Sequence, residues 1–344
     1  MDEWARLSLY ESTDLVTLFQ RRHGRELSAE KAKEIVSAMA QGREYFSAAA
    51  EAGLLVRPLL QYYGVLSLSR GLILLLSHNL RETSLPQAHG LSSVGWGSLL
   101  TADTRRPEEL QVKVSNGTFP LLLESTGQSE LCAVFTGPYP SQITFPRPRA
   151  LASLSEVSLT FQQVLSRVLE LRDVYERTFG QPASNYRAFV FTSSVTTQSD
   201  VDIFHGRHGL PLEQQLREEL SIPADIPLQS AVQHHFVQPG PHLRYRLLHP
   251  AGSNFIGMLP PFENLPDGSM AIVAPFAAGL SISRIGRFFL LSYISGSLAR
   301  YHPTSWLAIM QSRQKGDFLL PVIRVAMNVI QRQFPALAVR ELEG

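Results

Sequence analysis

The chain has 344 residues, 44% of them hydrophobic, so it can bury a sizeable core as two domains or as one domain with an insertion. Only 18% are charged, below the usual share of about 25%, which leaves less repulsive surface and favours an oligomer or a covering partner. A formal charge of +1 supplies no global basic field, so nucleic-acid binding would need a local patch. The single cysteine, Cys132 in "ELCAVF", cannot form an internal disulfide and reads as a small buried apolar residue. The opening "MDEWARLSLYESTD" has no basic stretch followed by an apolar one, and no secretory signal is expected. No window offers about 20 uninterrupted apolar residues, so a soluble cytoplasmic protein is the expectation.

Residues 1–104 read as helical. "STDLVTLFQRRHG" starts on capping residues and stops at Gly24, and Ser28 can cap the next run, in which Ile35, Met39, Tyr45, Phe46 and Ala49 keep helical spacing until Gly53. "VRPLLQYYGVLSLSRGLILLLSHN" follows, with Pro58 placed for a first turn. From about residue 105 the pattern alternates. "LQVKVSNGTFPLLLES" carries Asn116-Gly117, a strong hairpin signal, "ELCAVFTG" reads as a strand and "GPYPSQITFPRPRA" as a proline-rich loop, together a β insertion over 105–150. Residues 151–180 predict one long helix ending at Gly180. Residues 181–280 predict a mixed region: a strand in "NYRAFVFTSSV", a short helix in "LPLEQQLREEL", and two strands around the Pro-Gly-Pro of "QSAVQHHFVQPGPHLRYRLLHP". Residues 281–344 return to helix in three segments, the last of which is "DFLLPVIRVAMNVIQRQF" with Pro321 near its start. The predicted class is α+β, mostly helical.

Three stretches resemble the YaaC-like bacterial proteins: "EYFSAAAEAGLLVRPLLQYYGVLSLSRGLILL", "AHG" at Ala88–Gly90, and "FFLLSYISGSLARYHPTSW". The resemblance covers both helical ends more fully than the β-rich middle, and none of these motifs is catalytic in itself. It implies that the N- and C-terminal helices pack into one bundle around an inserted β-containing middle.

Projected at 100° per residue, Tyr63, Ser67, Arg70, Ser77 and His78 share an arc of roughly 100° on an otherwise apolar helix. Such a seam faces a polar channel or a hydrogen-bonding neighbour. A buried arginine needs a partner, and a carboxylate clamp between helices is the first expectation for Arg70. An anionic ligand held at Tyr63, Ser67, Arg70, Arg300 and His302 is the functional one, because a guanidinium fork suits phosphate and carboxylate groups. A metal-independent ribonuclease of HEPN type is the alternative, with Arg70 clamping phosphate and His78 or His89 as acid/base. Its spacing is a departure from that class, since eight helical steps separate Arg70 and His78 by roughly 12 Å.

His89 falls on an expected loop, and Trp306 is expected in the core. Ser292, Ser295, Gly296 and Ala299 form a stripe that would let another helix approach closely. "HGRH" at His205–His208 lacks a further ligand at standard spacing, and His234 and His235 would point to opposite strand faces, so no metal is expected. "HLRYRL" at 242–247 reads as a solvated strand face. No phosphate loop, nucleophile elbow or dinucleotide glycine pattern occurs, and no cofactor is expected. The overall expectation is a protein that binds or assembles, with a protein partner, a second copy or a small anion and no membrane, and without catalysis of its own.

Overall fold

A computed structural model of the chain describes residues 2–24, 26–101, 106–126, 130–136, 139–145, 154, 157–192, 198–204, 212–219, 224, 228–234, 241–248, 262–264, 270–311 and 317–343. In chain order the elements begin with α1 (Glu3–Leu7), α2 (Thr13–Arg22), α3 (Ala29–Glu51), α4 (Arg57–Leu76), β1 (His89–Val94), α5 (Trp96–Leu99), β2 (Gln111–Gly117) and α6 (Thr118–Ser125). The middle supplies β3 (Glu130–Thr136), β4 (Tyr139–Phe145), β5 (Ser158–Thr160), α7 (Phe161–Leu165), α8 (Arg172–Phe179), β6 (Asn185–Thr192), β7 (Gln198–Phe204) and α9 (Glu213–Glu219). Then come β8 (Leu228–His234), β9 (Pro241–Leu248), β10 (Phe262–Asn264), β11 (Met270–Val273), α10 (Arg284–Tyr301), α11 (Pro303–Met310) and α12 (Leu320–Glu343). The class is α+β, with the two helical ends in one bundle. Two compact units divide the chain: residues 1–127, 149–164 and 284–344 form the first, and residues 128–148 and 165–283 the second.

The first unit is built around α4, which packs against α3, α6, α10 and α12. By length and composition α4 could cross a bilayer. Its apolar side chains instead fill the core, with Val65, Leu68, Leu72 and Ile73 fully buried. Small residues set the distances to its neighbours. A Cβ at Gly64 would lie 2.6 Å from the Phe46 ring on α3, and one at Gly296 on α10 would lie 2.8 Å from Tyr62 Cβ. The small-residue stripe of α10 is thus where α4 comes close. Lys31, only 5% exposed, reaches from α3 to donate to the carbonyls of Ser77 at 2.6 Å and His78 at 2.8 Å, capping the C-terminus of α4 with a positive charge. Trp306 on α11 is buried, as its sequence context predicts. The last helix runs nine residues past Phe334, through Pro335, because Phe334, Leu337, Ala338 and Val339 are all buried. Their burial outweighs the roughly 3 kcal/mol that an interior proline costs a helix.

Three expectations are corrected, the last of them along a stretch that runs from the first unit into the second. Asn116-Gly117 does not turn a hairpin: β2 passes directly into α6. Gly117, at φ +155°, lies against Gly90, so closely that a Cβ there would meet the Gly90 nitrogen at 2.1 Å, and Thr118 N–H donates to Ala88 O at 3.0 Å. That approach, together with a proline at residue 120 that suits a first helical turn, sends the chain into a helix. The partner of β2 is β1, from an N-terminal stretch expected to be all helix, and β5 completes an antiparallel sheet of order β1-β2-β5. His89 therefore opens a strand, not a loop. The single helix expected over 151–180 is instead the strand β5 followed by α7, a 3-10 turn at Leu169–Leu171 and α8. Thr160 and Gln163 form a reciprocal capping box, with Gln163 N–H donating to Thr160 Oγ1 at 3.1 Å and Thr160 N–H to Gln163 Oε1 at 2.9 Å, which starts α7 afresh.

In the second unit the strands form a sheet of order β10-β11-β6-β7-β9-β8, and the β3–β4 hairpin joins it where Phe135 pairs in parallel with Phe191. The expected strands in "ELCAVFTG" and "NYRAFVFTSSV" form, as does the antiparallel β8–β9 pair. The proline-rich segment expected as loop contains β4. Asn185 Nδ2 donates to Ser166 O at 2.7 Å, tying the start of β6 to the turn before it. The side chains of Cys132, His234 and residues 242–247, and residues 205, 208 and 235 altogether, lie outside the described residues.

Candidate functional site

The polar seam of α4 meets three different neighbours. Tyr63 Oη accepts a hydrogen bond of 2.5 Å from Arg300 Nη1 on α10. Ser67 donates to Gln41 Oε1 on α3 at 3.0 Å. Arg70, half-buried, donates to Pro86 O at 3.3 Å, and so fastens the segment that leads into His89. Among the described residues Arg70 makes no ion pair, so the expected carboxylate clamp is replaced by a backbone carbonyl. Partial solvation removes the need for a counter-ion, because an arginine that keeps some contact with water does not carry the full cost of a buried charge.

Further along the seam, Ser77 Oγ pairs with Ser125 Oγ at 2.7 Å, and exposed His78 lies 3.0 Å from Asn79 Oδ1. Arg70 and His78 thus have separate partners. His302, at the cap of α11, packs 5.8 Å from the Trp96 ring, and burial holds its imidazole below the ordinary value. The residues proposed for a ligand divide accordingly. Tyr63 and Arg300 come together, while Ser67, Arg70 and His302 hold neighbouring segments.

Around that pair stands a cluster that periodicity did not single out. Tyr62 is 96% buried, its ring 5.5 Å from His89, 5.6 Å from Tyr293 and 6.1 Å from Phe289. Tyr293 donates to Leu91 O at 3.1 Å, and its ring is 6.0 Å from His89. Tyr45 stacks on Tyr63 at 5.5 Å. Tyr301 lies under the Arg300 guanidinium at 4.9 Å. A signal for part of this was present: Tyr293, Ser297 and Arg300 sit at i, i+4 and i+7 on α10, one face of a helix.

The electrostatics follow from burial and one cation. Burial pushes the Tyr62 phenol far above its ordinary value, and the neighbouring Tyr293, Tyr63 and Tyr301 add to that, with Arg300 opposing. Burial also raises Tyr293, against a hydrogen bond with Ser297. His89 is held below its ordinary value, first by burial and then by the Arg300 charge. Tyr62 Oη and His89 Nδ1 are both buried and have no hydrogen-bond partner among the described residues. An orphaned polar group of that kind costs about 1–3 kcal/mol. Arg300 is exposed, forms no ion pair among the described residues, and uses one N–H on Tyr63. A guanidinium has five N–H donors. The cluster therefore combines a free cationic face with two neutral, unsatisfied polar atoms behind it. Among the described residues there is no group of three His, Cys, Asp or Glu side chains that could hold a metal.

No curated protein and no solved structure matches the chain. A family model described as YaaC-like Protein matches residues 8–342, nearly the whole length and both units. The resemblance read in the helical ends thus extends through the β-containing middle, and the chain belongs to the YaaC-like family.

Proposed function

We propose that this is a soluble cytoplasmic binding protein whose helical unit holds a small anionic ligand at Arg300 and Tyr63, without chemistry of its own. One observation carries the reading: an exposed arginine with no carboxylate partner among the described residues, oriented through a 2.5 Å hydrogen bond to a tyrosine that is itself stacked on Tyr45. A cation fixed in this way has lost part of its rotamer freedom before a ligand arrives, and its remaining donors match the oxygens of phosphate or carboxylate. The ribonuclease alternative has less to support it, because Arg70 is engaged by Pro86 and His78 by Asn79.

Titration of the full chain with inorganic phosphate, followed by calorimetry, tests the proposal. Wild type is expected to bind saturably and Arg300→Gln to weaken binding about tenfold or more, since a hydrogen bond to a charged group contributes about 1.5–3 kcal/mol. Absence of saturable binding by wild type overturns it. In a parallel incubation with RNA, intact RNA is expected, and cleavage lost in Arg70→Ala and His78→Ala would overturn the claim that the protein performs no chemistry.

A further inference from the structure

The atoms behind Arg300 restrict what the ligand can be. Tyr62 is nine-tenths buried and beyond, yet its hydroxyl has no partner among the described residues, and the same holds for Nδ1 of His89, whose ring is 5.5 Å away. The Tyr62 ring is 5.8 Å from that of Tyr63 and 5.6 Å from that of Tyr293, and the Arg300 guanidinium carbon is 6.0 Å from the Tyr63 ring and 4.9 Å from that of Tyr301, so these groups form one chain of neighbours. A protonated phenol offers one O–H donor, and a neutral imidazole offers an acceptor at whichever nitrogen carries no proton. A second anionic oxygen placed here would find one donor and, at the imidazole, a lone pair. A hydroxyl satisfies both atoms at once, accepting from Tyr62 and donating to His89.

We propose that the ligand is a hydroxyl-bearing phosphoester, its phosphate at Arg300 and one hydroxyl received between Tyr62 Oη and His89 Nδ1. This rests on the reading of Arg300 as the anion anchor. Two sources share the chemistry, a sugar phosphate and a nucleotide entering through its ribose.

The test compares inorganic phosphate, ribose 5-phosphate, 2-deoxyribose 5-phosphate and uridine 5′-monophosphate by calorimetry on the full chain. Wild type is expected to prefer one of the ribose-bearing ligands over inorganic phosphate by about tenfold or more, the size of one good polar contact. Tyr62→Phe, which keeps the ring and removes the orphan hydroxyl, is expected to reduce that ratio below about threefold while melting no lower than wild type. His89→Phe serves as a second variant and is expected to reduce the ratio in the same way. Tighter binding of ribose 5-phosphate assigns a sugar phosphate, and tighter binding of the nucleotide assigns a nucleotide; either supports the proposal. If phosphate binds in an Arg300-dependent manner with no ribose preference, the two atoms serve an ordered water only, and this inference falls while the anion anchor stands. A preference that survives both variants places the hydroxyl elsewhere and also overturns it. If phosphate does not bind at all, the anion anchor itself has failed.

Discussion

The helices α4 and α8 both carry arginine, yet they are stabilised in opposite ways. Helix α4 has buried residues on every side, from Gln61 and Tyr62 through Ser69 to Leu75, and its C-terminal end is held by Lys31 from α3. Helix α8 buries Tyr175 and Glu176 alone, and it is secured locally: Arg172 pairs with Glu176 at 3.2 Å, Arg177 with Asp173 at 3.0 Å, and Gly180 at φ +66° ends it. One is a helix because of what surrounds it, the other because of its own sequence. The difference teaches that polar side chains on a buried helix report on neighbouring helices, whereas those on a peripheral one report on its own next turn.

The largest expected effect comes from Leu72→Ala in α4. A fully buried leucine there should cost about 2–5 kcal/mol, read from denaturant melts, and a loss below 1 kcal/mol would end the description of α4 as the centre of its unit.

A smaller effect sharpens the contrast through pH. Burial and then Arg300 lower the His89 imidazole beneath its ordinary 6.5, with Tyr62 and Tyr293 as the other polar groups around it. The unfolded chain thus takes up this proton first, so the contribution of neutral His89 is fully present above about 6.5 and is lost as pH falls through the lowered folded value. Over the range from about pH 7 to pH 5, His89→Phe should lose less stability than wild type. Equal losses would mean that the ring is not shielded by α4. His302, lowered in the same direction, contributes equally to both proteins.

The smallest effect belongs to α8. Its Arg177–Asp173 pair is 62% and 73% exposed, so Arg177→Ala should change stability by no more than about 0.5 kcal/mol, and less at high salt. A larger change would break the distinction between the two helices.

How much was legible depends on how local the cause was. Ser28 caps α3 by accepting from Lys31 N–H at 3.2 Å, as a serine before a helical run should. Thr160 and Gln163 were an equally readable capping box, but the apolar residues on either side carried the helical pattern across it. Asn116-Gly117 misled because its backbone is decided by a residue far upstream, Gly90, and not by the strands that flank it. In the candidate site, Tyr63 and Arg300 were legible as polar positions on apolar helices. Tyr62 was not, since beside Tyr63 it counts as one more aromatic on a helix that is apolar all round.

What the sequence by itself determined is the α+β class, most helices of the two ends, the strands β3, β6, β8 and β9 of the middle, and the family. These follow from periodicity, caps and turn residues, which act over a few positions. What only the tertiary structure decided is which polar group meets which. That Arg300 finds Tyr63, and that the Tyr62 hydroxyl finds no partner among the described residues, follow from the close packing of α10 on α4 at Gly296. Contacts between residues more than 200 positions apart depend on how closely the helices approach, and that distance is set by side-chain volume in three dimensions, which no one-dimensional spacing encodes.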